Sequence, residues 1–535
     1  MRLTWLTAAL LATLALAGLA AVLWRRFYRD DPANAARRIF KNSAVTFALR
    51  MLVKTLDMIV LFILAGTLAA GVLGDYDLAA LLVGQYLVIF TEFGLGVLLT
   101  REVARDPGAA QRLFGTTLAL RLLLVLVGAL PVALLVAGVY ALLGQPLSPA
   151  GTTAVFVLLL TLVPGAYSGA VTALYNASER MEVPALLELV TAALNFLARI
   201  AVIALAPSIV GLAWAAVAVS TVTAGAFFGL QRRHFFAPSL TFDRTALRAL
   251  LPVALPLMLN NLLSAVFFRF DVFIVRAFGG EAATLLVAQY TRPYQLLNIA
   301  MIVPPAVTFA VFPLLARRAG GDRAGFATAQ NRTLQILLAL AFPLAMGLTV
   351  LAHDLIQLFT RAQFHDYQPS VVVLAILAWF LPLSFANGLL QYALIALDRQ
   401  RAITRAFVIG ALFNLVANLI AVPVATLGFG QPAWGLYAAA GITISSELVL
   451  YLVFRPLLRE EGLPPPLVAL SWRPAVAALA MGAAMLALKA LLPDWPGSVA
   501  AALVAPLVYG GALWASGGIG PEERALARRI LGRAP

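Results

Sequence analysis

Within AVFFRFDVFIVRAF, beginning at Ala265, one aspartate and two arginines interrupt a stretch otherwise apolar enough to span a bilayer. An ionisable side chain at that depth is costly and marks function by default. Asp271 has no basic residue at positions 267, 268, 274 or 275. Its carboxyl must therefore find a partner on another helix, bind a cation or stay protonated. Each option makes Asp271 a candidate for ion coupling or for gating by a switchable salt bridge. Arg269 and Arg276 share a face about 160° from Asp271 at 100° per residue. Arg269 is the deeper of the two, whereas Arg276 lies near the expected outer interface, where snorkelling accounts for it.

A second polar stripe lies near the start of the chain. Arg50, Lys54 and Asp57 are spaced i, i+4 and i+7 on one helical face, with Thr46 a turn earlier. Lys54 and Asp57 can neutralise each other, which needs no ligand. Alternatively, the stripe lines a hydrated cavity with net positive charge, where a guanidinium can bind an anion through two oxygens. Glu188, Asn195 and Arg199 fall within about 20° of one face of a further helix, either a polar stripe or a packing network. Glu92 and Glu447 carry protons or are satisfied by neighbouring helices. For Arg121 and Lys489, each toward a span end, the expectation is snorkelling.

Composition identifies the elements that hold these residues. The 535-residue chain is 62% hydrophobic and 12% charged, with a mean hydropathy of +0.93, more apolar surface than a soluble core buries. Cysteine is absent and only His234, His353 and His365 occur, so thiolate chemistry and a histidine-rich metal centre are excluded; no metal ligands or catalytic residues are assigned. No GxxxxGK[ST] phosphate loop is present, so ATP is not a direct energy source in this chain.

Hydropathy predicts fifteen spans, at residues 4–24, 43–71, 78–100, 113–143, 152–175, 184–206, 209–230, 250–278, 284–316, 333–359, 370–396, 403–425, 432–454, 474–492 and 497–516. Alternate loops carry 28 basic residues, against three (Arg2, Arg292 and Arg361) on the other side. By the positive-inside rule the basic loops are cytoplasmic, placing the N-terminus outside and the C-terminus in the cytoplasm. The net charge of +14 is thus an orientation signal with some attraction to membrane lipids, and nucleic acid is not a partner.

The first span reads as an additional anchor, since a cleavable signal has a shorter apolar region and would not export WRRFYRDD. The other fourteen, numbered below as core spans, contain a weak internal repeat. KTLDMIVLFILAG followed by GDYDLAALLVGQYLVIF parallels FRFDVFIVRAFGG followed by EAATLLVAQYTRPY, placing Asp57 opposite Asp271 and Gln85-Tyr86 opposite Gln289-Tyr290. The expected fold is all-α and polytopic: a fourteen-helix core of two six-helix lobes, related by a pseudo-two-fold along the membrane normal, plus two C-terminal helices and the extra N-terminal one. The expected domains are an anchor at 1–24, a basic cytoplasmic linker at 25–42, lobes at 43–230 and 250–454 joined by an interlobe linker at 231–249, a linker at 455–473, accessory helices at 474–516 and a basic tail at 517–535.

Three passages resemble the polysaccharide and oligosaccharide flippases of the multidrug/oligosaccharidyl-lipid/polysaccharide exporter superfamily: KNSAVTFALRMLVKTLDMIVLFILAG, FTEFGLGVLLTREVARDP and FRFDVFIVRAFGGEAATLLVAQYTRPYQLL. The resemblance covers about residues 40 to 455, and the extra N-terminal helix departs from the usual pattern. It implies movement of a polyprenyl-diphosphate-linked glycan from the cytoplasmic to the outer leaflet by alternating access, in the plasma membrane of a prokaryote. On that reading Arg50, Lys54, Arg269 and Arg199 form a basic cavity for the diphosphate. Asp57, Asp271 and Glu92 couple a proton or sodium gradient or act as gates, and no cofactor is expected.

Three other functions compete. A drug or organic-cation antiporter of the same superfamily calls for an acidic, aromatic cavity, whereas the candidates here lean basic. A peptidoglycan-precursor flippase would share the scaffold. A membrane glycosyltransferase or polymerase calls for a large loop bearing a catalytic constellation, which the short loops do not offer, so the chain is read as a transporter and not an enzyme.

Overall fold

The computed structural model describes residues 53, 56, 57 and 59–518 apart from 493. All the regular elements among them are helical. Among the described residues, twelve helices are long and apolar enough to cross a membrane, or thirteen if the bent pair at 363–377 and 380–396 counts as one span. Each coincides with an expected core span from 78–100 onward. The expected span at 4–24 lies outside the described residues, as do all of 25–52 and the tail from 519, and the first core span is described only in part.

Several spans are interrupted along their length. The second runs from Ala70 to Arg105, passes through a π-helical segment at Leu82–Leu87, and breaks after Glu92 at two consecutive left-handed residues, Phe93 (φ 41°) and Gly94 (φ 71°). Glycine adopts that conformation readily; phenylalanine does so only when its surroundings hold it there. Phe93 is buried with Leu95, Leu98, Leu120, Leu250 and Ala254, and this packing fixes the break. The seventh span is continuous through Pro252 and Pro256 and restarts at Asp271 after a single turn residue, Phe270. The eighth is divided at Met301-Ile302, before Pro304 and Pro305.

Contacts divide the chain into two compact units, Met1–Ala288 and Gln289–Pro535. That division falls one span later than the lobe border at 231–249. The seventh span groups with the first unit because Leu250 and Ala254 pack beside Phe93, Leu95 and Leu120, and because the Tyr86 hydroxyl donates to the Ala265 carbonyl at 2.9 Å. The ring of Tyr86 also meets Phe273 edge-on, with centroids 5.0 Å apart.

The segment expected to be an interlobe linker, 231–249, packs within the first unit. Phe236 packs on Phe114 and Phe235 on Tyr175, the Thr116 hydroxyl accepts from the Asp243 backbone N–H at 3.3 Å, and Arg112 reaches Asp243 at 3.4 Å. Asp243 caps the next helix, accepting from the N–H groups of Thr245 (2.8 Å) and Ala246 (3.2 Å). The docking requires Gly115, where a Cβ would lie 2.3 Å from Thr241 Oγ1 and 2.7 Å from the Ser239 carbonyl oxygen.

In the second unit, the thirteenth and fourteenth core spans pack on each other and on the ninth through Met346, Met481, Met485 and Tyr509. They keep an outer face of exposed apolar side chains, Leu479, Leu486, Leu503 and Leu507 among them, as suits lipid-facing helices.

Candidate functional site

Of the seven residues singled out for substrate or ions, Arg50 and Lys54 lie outside the described residues. The remaining five all fall in the first unit. Arg199 and Asp57, on the fifth and first core spans, form an ion pair with Nη1 3.8 Å from Oδ1. Their side chains are 24% and 44% exposed, and Arg199 Nε is buried without a hydrogen bond. A pair this long and open leaves guanidinium donors for an incoming acceptor, because a tight charge-assisted bond closes to about 2.7–2.9 Å. Glu188, on the same helix as Arg199, is exposed, and Asn195 is half-buried.

Asp271 is buried at 1% exposure and Arg269 is half-buried. The break at Phe270 sets the local backbone around this carboxylate. Asp271 is the first residue of a new helical segment, Asp271–Phe278, where the positive end of the helix dipole favours an anion. Its Oδ1 accepts the Val272 backbone N–H at 2.9 Å.

Glu92 and Arg121 were read separately from the sequence; the structure joins them. Arg121 is fully buried and its Nη1 donates to Glu92 Oε1 at 3.3 Å, so snorkelling is not its role. The same correction applies to Arg276, which is 3% exposed. Its Nη2 donates to the Pro146 carbonyl at 3.0 Å, and its guanidinium lies 5.4 Å from the Tyr140 ring centroid. Tyr140 donates in turn to the Phe273 carbonyl at 3.1 Å. Asp75, whose charge interacts with that of Arg276, accepts from Ser148. Lys489 likewise pairs with Asp354.

In the second unit Arg292, counted above as an outer-loop residue, is fully buried inside the Ala283–Ala300 helix and donates to Gln295 at 2.7 Å. Glu447 is 2% exposed, and Asn387 donates to both its carboxylate and its backbone carbonyl. Beside it Asn414 donates to Ser446 at 3.0 Å and Asn418 to the Asn414 carbonyl at 2.9 Å. The i, i+4 spacing of Asn414 and Asn418 in an apolar span was the signal that could have announced this network.

Comparison with known proteins places these features in a family. A model of the polysaccharide biosynthesis protein family matches residues 39–318, which is more than half of the chain. The chain belongs to that family. A second model, MatE, matches residues 256–420 of this polysaccharide biosynthesis family member. No match is found among curated proteins by sequence. Among solved structures, the fold is similar to that of the lipid II flippase MurJ in an inward closed conformation, with a TM-score of 0.66 and 14% identity over 92% of this chain and 100% of that one. It is also similar to a multidrug resistance MATE family transporter of the MOP superfamily in an inward-facing conformation, with a TM-score of 0.63 and 17% identity over 77% of this chain and 95% of that one. The family member is therefore an all-helical, multi-pass membrane transporter of the multidrug/oligosaccharidyl-lipid/polysaccharide exporter superfamily.

Proposed function

We propose that this transporter is a flippase that carries a polyprenyl-diphosphate-linked oligosaccharide from the cytoplasmic to the outer leaflet of a prokaryotic plasma membrane, for surface polysaccharide synthesis. The observation that carries this reading is the polysaccharide biosynthesis match over residues 39–318, the stretch that holds every cationic candidate. Arg199 supports it by presenting a partly exposed guanidinium loosely held by Asp57 at 3.8 Å. In the proposed cycle a diphosphate oxygen takes the place of the Asp57 carboxylate on Arg199, with Arg269, Arg50 and Lys54 adding positive charge. Asp57 and Asp271 then serve as gates or as sites coupled to a proton or sodium gradient. The cycle alternates access between the two sides of the membrane, with the basic loops in the cytoplasm, and makes and breaks no covalent bond in the cargo.

The test is translocation by the purified protein in liposomes. A prenyl-diphosphate-linked oligosaccharide is incorporated and its exposure to an external probe is followed for wild type, Arg199→Ala and Arg269→Ala. Acceleration by wild type that falls in both variants supports the reading. If the carrier is moved only when it bears a peptidoglycan-type disaccharide-peptide, the peptidoglycan-precursor alternative replaces it, a reading favoured by the MurJ likeness over 92% of the chain. Absence of lipid movement together with gradient-driven uptake of a fluorescent organic cation would move the assignment to the antiporter branch, which the MatE match at 256–420 favours.

A further inference from the structure

We propose that Arg121, on the third core span beside the break in the second, is an oxyanion site of the phosphate class for which the Glu92 carboxylate is the resident internal ligand. Arginine carries five N–H donors and no acceptor. Arg121 is fully buried, yet its Nε and Nη2 have no hydrogen-bond partner, and its single bond to Glu92 is long, at 3.3 Å. Structural pairs formed by a buried guanidinium are expected to satisfy its donors, since each one left open keeps an uncompensated desolvation cost.

The surroundings of Arg121 supply further donors. The Leu95–Arg105 helix begins immediately after the left-handed pair Phe93-Gly94, and its start has no side-chain cap. The N–H groups of a helical first turn are unpaired within the helix and face an anion favourably. Two glycines let the guanidinium and its carboxylate lie directly against backbone. A Cβ at Gly96, in that first turn, would stand 3.4 Å from both Arg121 Nη2 and Glu92 Oε2. A Cβ at Gly169, on the fourth core span, would stand 2.8 Å from Nη1 and 3.0 Å from Glu92 Oε1. Glu92 is the exposed member of the pair, its side chain 45% accessible against 0% for Arg121. The carboxylate is therefore the group that an incoming phosphate oxygen displaces, and the site behind it is already built. For the cargo diphosphate as the source of that anion, the inference rests on the flippase reading. A phospholipid headgroup offers the same chemistry.

The experiment measures anion binding to the full-length protein in detergent at constant ionic strength, using pyrophosphate, inorganic phosphate and glycerol 1-phosphate as probes and calorimetry as readout. Wild type is expected to bind pyrophosphate saturably. Glu92→Gln removes the competing charge and should tighten binding by about tenfold, the size of effect that one displaced charge–charge contact provides. Arg121→Lys, which cannot present the planar fork, and Gly169→Ala, which fills the cradle, should each weaken it. A merely structural ion pair gives the opposite pattern: Glu92→Gln lowers the melting temperature and binds no tighter, and that result overturns the proposal. Should Arg121→Lys fail to fold, Glu92→Gln and Gly169→Ala still decide the matter. Preference for pyrophosphate over glycerol 1-phosphate assigns the anion to the cargo, and the reverse preference assigns it to lipid. Wild-type liposomes that move no lipid-linked sugar while anion binding persists would remove the flippase reading alone.

Discussion

Asn387 donates from its single amide nitrogen to two acceptors of one residue, the Glu447 carbonyl oxygen at 2.8 Å and Oε2 at 2.7 Å. Both residues are buried, and the contact fastens the tenth core span to the twelfth. Replacing Asn387 by Leu leaves a buried carboxyl without this donor. The expected cost is about 1–3 kcal/mol, seen as a lower melting temperature in detergent, while Glu447→Gln should cost less because the amide keeps an acceptor for Asn387. Equal losses in the two variants would mean that the contact contributes packing and not hydrogen bonding.

Glu461 binds Arg399, with Nε 2.8 Å from Oε1, and Arg323, with Nη2 2.8 Å from Oε2. It lies outside the spans, at the end of the Ala433–Glu460 helix. The hydrogen bond from Arg399, aided by the charges of both arginines, holds its carboxyl below the ordinary 4.5. A depressed folded-state value contributes stability above the unfolded value, and this contribution is lost as pH falls through the folded one. Melting temperature measured downward from neutral pH should therefore drop more steeply below about pH 4.5 in wild type than in Glu461→Gln. Parallel curves would exclude a linked role for Glu461.

Gly115 is the seat of the docked connector. Gly115→Val places carbon against Thr241 Oγ1 and the Ser239 carbonyl, and overpacking of this kind costs about 1–3 kcal/mol. The expected result is faster proteolytic cleavage within 235–243, with the spans themselves remaining resistant. Unchanged cleavage would mean that the connector is held by its aromatic residues and the Asp243 contacts without need of Gly115.

The Arg199–Asp57 pair is open enough that its share of stability should be small, about 0–1 kcal/mol. Arg199→Ala is accordingly expected to melt close to wild type while translocating lipid-linked sugar at least about tenfold more slowly, a barrier increase of about 1.4 kcal/mol. A variant that loses both properties together would identify the pair as structural.

The spans were legible in the sequence because a run of apolar residues long enough to cross a bilayer is seldom anything but a membrane helix. The environments of their charges were not. Arg121, Arg276 and Lys489 each lie toward a span end, where reaching for water and reaching for a partner look the same in one dimension. Their partners, Glu92, the Pro146 carbonyl and Asp354, are brought in from other parts of the chain, Pro146 from a loop. Arg292 was counted on the outer side although it falls within the expected span at 284–316, and the structure carries it with Pro293 inside the helix. The FGLG passage was noticed as a resemblance, but that its first two residues turn left-handed depends on the burial of Phe93.

That turn changes the mechanics of the second core span. A continuous helix of that length transmits a push along its axis, whereas two rods joined at Phe93-Gly94 transmit a rotation. The second rod, the eleven residues Leu95–Arg105, is about 16 Å long at 1.5 Å per residue. A swing of about 10° at the joint displaces its far end by about 3 Å on that arm. Movement too small to disturb the packing around Phe93 is thus magnified where the chain meets Arg101 and Arg105.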